Sequence, residues 1–187
     1  MKKLRVLLLV HEELVPPTDS ISFKKLEKSD YKTEYQIQEC LKKLGHEVHV
    51  LGVGDETLSI RRSVEDYKPQ VAFNLLEEFA GQATFDQHVV SFLELLNLKY
   101  TGCNPQGLMV ARNKGLAKKL LKYHRIPTPD FYIFNFKSNL KKLKKLKYPL
   151  FVKSLTEEAS LGITQESIVH TRDQLKGRIK YFYENYE

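Results

Sequence analysis

The chain has 187 residues, 42% hydrophobic and 28% charged, with nine glycines, seven prolines and no tryptophan. This composition suits one ordinary domain or two small ones with an apolar core, and excludes a disordered chain. The net charge of +7 is split: residues 1–100 carry 13 Lys/Arg against 16 Asp/Glu, a net of -3, and residues 101–187 carry 17 against 7, a net of +10. A basic second half points to an anionic partner: nucleotide phosphates, a nucleic acid or acidic protein.

No apolar run approaches the roughly 20 residues of a membrane-spanning helix. The apolar stretch after Met1-Lys2-Lys3 stops at His11-Glu12-Glu13 without a small-residue cleavage site, so it reads as a strand and not a secretory leader. Cys40 and Cys103 stand 63 residues apart with no CxxC or CxxH spacing, which excludes a cysteine zinc site. A reducing cytoplasmic setting is expected, with both cysteines as packing residues.

Lys3 to Val10 reads as a buried strand, and the Pro16-Pro17 region to Ser22 as a loop. Helical spacing of Tyr35, Ile37, Cys40, Leu41 and Leu44 predicts a helix over 34–44, stopped by Gly45. A strand over 47–52, a helix over 58–67, a strand over 70–74, a helix over 85–96 and a short strand over 98–101 follow. This alternation predicts a parallel, doubly wound sheet, whose ligands bind beyond the strand carboxyl ends. Those ends carry His11-Glu12-Glu13, Gly52-Val53-Gly54, Asn74 to Glu77, and Thr101-Gly102.

The rhythm changes after Gly102. Asn113 caps a predicted helix over 114–123, and Phe131–Phe134 reads as a strand. Lys137–Lys147 reads as a lysine-dense helix over Leu140, Leu143 and Leu146. Strands over 149–153 and 163–169 flank a polar loop, Ser154–Gly162, and Thr171 caps a last helix from Asp173 to the end. The expected division is 1–104, an α/β domain, and 105–187, a smaller α+β unit.

Chemistry concentrates in the second half. Lys153 ends an apolar strand and leads into the hydroxyl-rich loop, whose backbone N–H groups can wrap phosphate oxygens. Lys114 opens a helix, where an anion would offset its charge. Neither pattern alone separates a phosphate site from surface lysines beside an ordinary hairpin. His46 and His49 face opposite sides of a strand and cannot share a metal, and no GxSxG elbow or GxxxxGK[ST] loop is present. Tyr181, Phe182, Tyr183 and Tyr186 read as a helix face awaiting further structure, in preference to a base-stacking platform.

Taken in order, Asn74-Leu75-Leu76-Glu77, Glu94-Leu95-Leu96, Tyr100-Thr101-Gly102, Arg112-Asn113-Lys114, Ile126-Pro127-Thr128-Pro129 and Tyr148 to Lys153 resemble the D-alanine–D-alanine ligase branch of the ATP-grasp superfamily. The resemblance implies a Rossmann-like parallel-sheet N-terminal domain, then an α+β first ATP-grasp subdomain. It implies an ATP-dependent carboxylate–amine ligase that forms an amide or peptide bond through an acyl phosphate, with a small-molecule carboxylate and amine as substrates and ATP and magnesium as cofactors. By the same resemblance Lys114 and Lys153 match the lysines that hold nucleotide phosphates, and Ser160 and Gly162 belong to the loop over them. Glu12 or Glu13 would anchor a substrate amino group.

Two departures separate the chain from the dipeptide ligases. His11-Glu12-Glu13-Leu14-Val15-Pro16-Pro17 stands where they have a glycine-rich turn with serine and glutamate, and Ala159 replaces a loop serine, with Ser160 next to it. The family's adenine hinge and magnesium ligands are expected beyond residue 187, so catalysis would need a C-terminal ATP-grasp half or a second copy. No metal ligands are expected within this chain. The alternative is a non-catalytic binding module that uses the basic Lys137–Lys147 run on nucleic acid or an acidic partner. The run reads better as a solvated helix face than as a nucleic-acid site, and salt dependence would separate the two.

Overall fold

The computed structural model describes residues 2–19, 21–134, 147–157 and 160–186. The chain divides into two compact units, 1–109 and 110–187.

The first unit is organised around β1 (Arg5–His11), in which Val6, Leu7, Leu8, Leu9 and Val10 are all buried. It pairs in parallel with β2 (Glu47–Val53) on one side and β3 (Val71–Asn74) on the other, giving the order β2-β1-β3. Leu8 stands opposite both Val50 and Phe73. A parallel strand between two neighbours is covered on both faces, which explains an apolar run without alternation.

α1 (Phe23–Leu26) is a single turn, and α2 (Lys32–Lys43), α3 (Leu58–Tyr67) and α4 (Asp86–Leu95) are the longer helices around the sheet. Ile60 of α3 and Val89 and Leu93 of α4 join Leu7, Leu9, Val53 and Ala72 in one core.

Three expectations need correction here. α2 buries Glu34 and Gln38 and exposes Cys40 and Leu44, because its inner stripe runs through 34, 37, 38 and 41. Cys40 and Cys103 are both free and exposed and so are not packing residues. The expected fourth strand is a single parallel bridge, Ala72 to Tyr100. Ala72 N donates to Lys99 O (2.7 Å) and Thr101 N to Ala72 O (3.0 Å), after which Gly102, at φ +97°, turns the chain away. α5 (Pro105–Arg112), a helix with no counterpart among the predicted elements, follows.

In the second unit, α6 (Lys114–Tyr123) starts at Asn113, whose side chain accepts from Leu116 N at 2.9 Å. β4 (Leu150–Phe151) and β5 (Ile168–Val169) pair antiparallel. α7 (Arg172–Tyr186) has a reciprocal cap: Gln174 N donates to Thr171 Oγ1, and Gln174 Oε1 accepts from Thr171 N.

Both expected strands shrink to two residues. Thr164 and Ser167 cap a 3-10 turn between them, drawing local hydrogen bonds away from the ladder. Phe131–Phe134 forms no strand; Tyr132 and Phe134 stack at 6.5 Å, and Lys118 and Lys122 lie over the Phe131 ring. The predicted Lys137–Lys147 helix lies, but for Lys147, outside the described residues. Among the described residues no helix is long and apolar enough to cross a membrane.

The Tyr100 hydroxyl donates to Glu94 Oε1 at 2.6 Å, and this bond to a carboxylate pushes the phenol from 10.0 up to about 12. Because the folded value lies above the unfolded one, stability from this bond is whole below about pH 10 and is lost as pH rises toward 12. Glu94→Gln should return the Tyr100 titration toward its ordinary range. Ultraviolet phenolate titration of the parent, Glu94→Gln and Tyr100→Phe checks this, and an unchanged titration in Glu94→Gln would refute the assignment.

Candidate functional site

The second unit gathers the residues expected at phosphates around one loop. Lys153 lies two residues beyond β4 and is exposed; the strand end beside it, Phe151, is 55% exposed, so the expected buried strand end is not present. Ser154 Oγ then accepts from Thr156 N (3.3 Å) and Glu157 N (3.1 Å), which curls the chain back. The curled segment meets the start of α6. Lys114 N donates to Leu155 O (3.2 Å), and Lys114 Nζ donates to Glu157 O.

Gly115 permits this approach. A Cβ there would collide with Ile133 Cδ1 and lie 3.0 Å from Leu155 Cδ1. The sequence reading has Lys114 facing an anion; the structure has its ammonium engaged by the loop backbone.

The far side of the loop is a turn. Ile163 N donates to Ser160 O (2.9 Å), and Gly162 has φ +71° at the third position, which a type II turn reserves for glycine. Ser160 is itself left-handed, at φ +63°. Ala159 lies outside the described residues.

This turn rests on α7. A Cβ on Gly162 would fall 2.9 Å from Phe182 Cε1 and from Tyr186 Cε2. Arg178, 4% exposed, donates from Nη2 to Gly162 O and to Ser167 Oγ (3.0 Å). The expected open aromatic face is therefore a packed one: Phe182 is buried, and the Tyr183 hydroxyl donates to Phe134 O at 3.1 Å. The Tyr186 phenol is pushed up, first by its hydrogen bond with Tyr181. Sequence reasoning missed Arg178. The available signal was an arginine three and four residues before Tyr181 and Phe182, a spacing that stacks all three on one face.

The first unit presents its own edge. Parallel pairing sets His11 opposite Val53 and Leu9 opposite Asn74, so the carboxyl ends of the three strands share one side. His11 Nδ1 accepts from Glu13 N (3.3 Å), which places the ring proton on Nε2, 3.4 Å from Glu78 Oε1. Glu78 lies one residue beyond the Asn74–Glu77 strand end, and only its approach to His11 marks it.

Glu12 and Glu13 are exposed on the 3-10 turn that follows β1. Glu12 occupies space left by two glycines: a Cβ on Gly54 would sit 2.5 Å from its Oε2, and one on Gly52 3.1 Å from its Cα. Asn74 Oδ1 accepts from Leu76 N (3.2 Å), and Thr101 Oγ1 accepts from Asn74 N (3.1 Å). These bonds fix the backbone at the end of β3.

No model of a protein family matches the chain. An uncharacterised protein of Sinorhizobium fredii, y4sG, is 30% identical over 158 residues, which cover 80% of this chain and 43% of that protein. A D-alanine–D-alanine ligase of Aquifex aeolicus is 30% identical over 145 residues, 78% of this chain and 47% of the ligase. Two crystal structures of the D-alanine–D-alanine ligase of Bacillus anthracis share the fold. One has a TM-score of 0.69 at 23% identity, over 97% of this chain and 53% of the ligase chain. The other, complexed with ATP, has a TM-score of 0.65 at 21% identity. The chain spans about half the length of the proteins it matches. Sequence and fold alike match it to the N-terminal region of D-alanine–D-alanine ligase-like ATP-grasp proteins.

Two glycines in the second unit should respond to alanine with opposite signs. Gly162→Ala forces a side chain into a left-handed position against Phe182 and Tyr186, and should destabilise by about 1–3 kcal/mol. Gly177, inside α7 with nothing within 4 Å of its Cβ position, should stabilise by about 0.5–1 kcal/mol on the same change. Urea unfolding followed by circular dichroism checks both, and equal effects would refute the turn geometry.

Proposed function

We propose that this chain, matched to the N-terminal region of D-alanine–D-alanine ligase-like proteins, serves an ATP-dependent carboxylate–amine ligase. In that reaction the γ-phosphoryl group passes from ATP to a carboxylate oxygen, releasing ADP. The amine attacks the acyl carbon, a C–N bond forms, and phosphate leaves with the C–O electron pair.

The observation that carries the reading is the convergence at the loop. Lys114 engages the Leu155–Glu157 backbone through both its N–H and its ammonium, and Lys153 opens the same loop. The residues fit a triphosphate: a helix start, two lysines, and a turn with two positive-φ residues whose backbone can present N–H groups to oxygens. In this reading the ammonium groups of Lys114 and Lys153 balance phosphate charge, and the Ser160–Gly162 turn lies over the phosphates. Glu12 or Glu13, exposed beyond β1, holds a cationic amino group of the substrate. His11 and Glu78 limit where that group can sit.

Magnesium is part of the reading only through the family. Among the described residues no group of three His, Cys, Asp or Glu side chains could hold a metal ion. The remaining contacts to ATP belong, in this proposal, to a C-terminal half of the kind that completes the longer relatives. The cytoplasm, which supplies ATP, is the compartment this reading implies.

ATP binding by this chain should therefore be weak, and visible as fast-exchange shifts in a nitrogen-15 NMR titration. Lys153→Met keeps the aliphatic stem and removes the charge, so stability should change by less than about 1.5 kcal/mol. Its ATP affinity should fall about tenfold or more, the worth of a charge-assisted contact. Lys43→Met, at an exposed position of the first unit, is the control. A Lys153→Met chain that titrates like the control, or a parent whose loop amides do not shift with ATP, would overturn the phosphate assignment.

A further inference from the structure

Arg178 is an expensive residue for its place. A guanidinium that is 4% exposed has lost nearly all its water, which is unfavourable unless its charge is answered. Here the answer is thin. The carboxylate nearest it among the described residues, Glu166 Oε2, is 3.8 Å from Nη1 on a side chain that is 86% exposed. Its Nε has no partner among the described residues.

An apolar side chain would serve packing at least as well. What an apolar side chain could not do is donate to two oxygens at once. Nη2 reaches Gly162 O and Ser167 Oγ, while the rings of Tyr181 and Phe182 cover the guanidinium at 4.2 and 4.9 Å. The two faces of the interaction fix the fork in direction as well as place.

We propose that Arg178 is a positioning residue: it holds the Gly162 carbonyl inward and so sets the Ser160–Ile163 turn in the shape that receives phosphate. The proposal rests on the phosphate reading of the loop given above. The turn carries two left-handed residues, Ser160 and Gly162, and a single internal hydrogen bond, Ile163 N to Ser160 O. Left-handed serine is disfavoured, so this shape needs support from outside the turn. Arg178 supplies that support on the carbonyl side.

The test uses the chain as it is, labelled with nitrogen-15, with two readouts: exchange of the Ile163 amide and the ATP dissociation constant. In Arg178→Met, Ile163 exchange should quicken and ATP affinity fall, each by about tenfold or more. Arg178→Lys keeps the charge but not the fork, and should fall between parent and Arg178→Met on both. Leu175→Ala is the structural control, since Leu175 is buried on α7 and has no polar group with which to hold the Gly162 carbonyl. It should lower the melting temperature and leave Ile163 exchange and ATP affinity near the parent.

The proposal is overturned if Arg178→Met leaves Ile163 exchange unchanged, or if Leu175→Ala moves both readouts as far as Arg178→Met does. Should Arg178→Met fail to fold, Arg178→Lys decides, and Ile163 exchange equal to the parent's would overturn the proposal. A parent without ATP shifts sinks the phosphate reading, and with it the phosphate purpose of the turn. The exchange arm alone then decides whether Arg178 sets the turn's shape.

Discussion

The first unit depends on one constraint: five consecutive buried residues, Val6 to Val10, paired in parallel on both sides. A strand covered on both faces leaves no solvent side, so α3 and α4 must bring apolar stripes to it, and Ile60, Val89 and Leu93 do. Parallel pairing also gathers the carboxyl ends of β1, β2 and β3 on one edge. His11, Glu12, Gly54 and Asn74 come to that edge through sheet direction, without any contact that the sequence advertises. The edge is then shaped by absence of side chain: Gly52 and Gly54 carry no Cβ where Glu12 and Val15 approach.

What was legible in the sequence was what local physics decides. The uninterrupted Leu7-Leu8-Leu9 run, the Asn113 cap and the α3 stripe ending before Pro69 each contain their own cause, and each stands at or near the place expected for it. Illegible features need a neighbour to explain them. Cys40 and Leu44 share helical spacing with real core residues, yet only the position of α2 on its sheet decides that the stripe through Glu34 and Gln38 faces in. The 98–101 segment has strand composition, but Gly102, at φ +97°, turns the chain away directly after it. β3 is four residues long and gives it one bridge. The 163–169 segment reads as a strand until Thr164 and Ser167 cap each other, a reciprocal bond that propensity does not see.

The candidate site shows the same division. Lys114, Lys153, Ser160 and Gly162 were visible as types in an order, because a lysine at a helix start and a glycine in a hydroxyl-rich loop are unusual enough to mark. Arg178 was not, because one arginine among 17 Lys/Arg in residues 101–187 carries no label. Its importance comes from burial and from Gly162 O and Ser167 Oγ lying within reach of one nitrogen. The basic excess of that half is thus not one surface. Arg178 is inside it, Lys118 and Lys122 are committed to Phe131 and the 128–130 backbone and side chains, and Lys153 is exposed.

This distribution makes the two loop lysines unequal. Lys114 already donates to Glu157 O, so a phosphate that takes its ammonium must replace a hydrogen bond that is already made. The net gain is the difference between a charge-assisted bond to an anion and one to a carbonyl, smaller than the whole of either. Lys153 is exposed, so in the proposed reading less is displaced when it takes a phosphate and more of its contact remains as binding. Lys114 therefore holds the Leu155–Glu157 backbone before any ligand arrives, whereas Lys153, in the proposed reading, is the lysine that meets the ligand directly. Ordering the loop in advance lowers the entropy cost of binding. Lys114 thus holds the first half of the loop through Glu157 O and Arg178 the turn at its far end through Gly162 O, so of the two proposed phosphate lysines Lys153 is the one with less to give up.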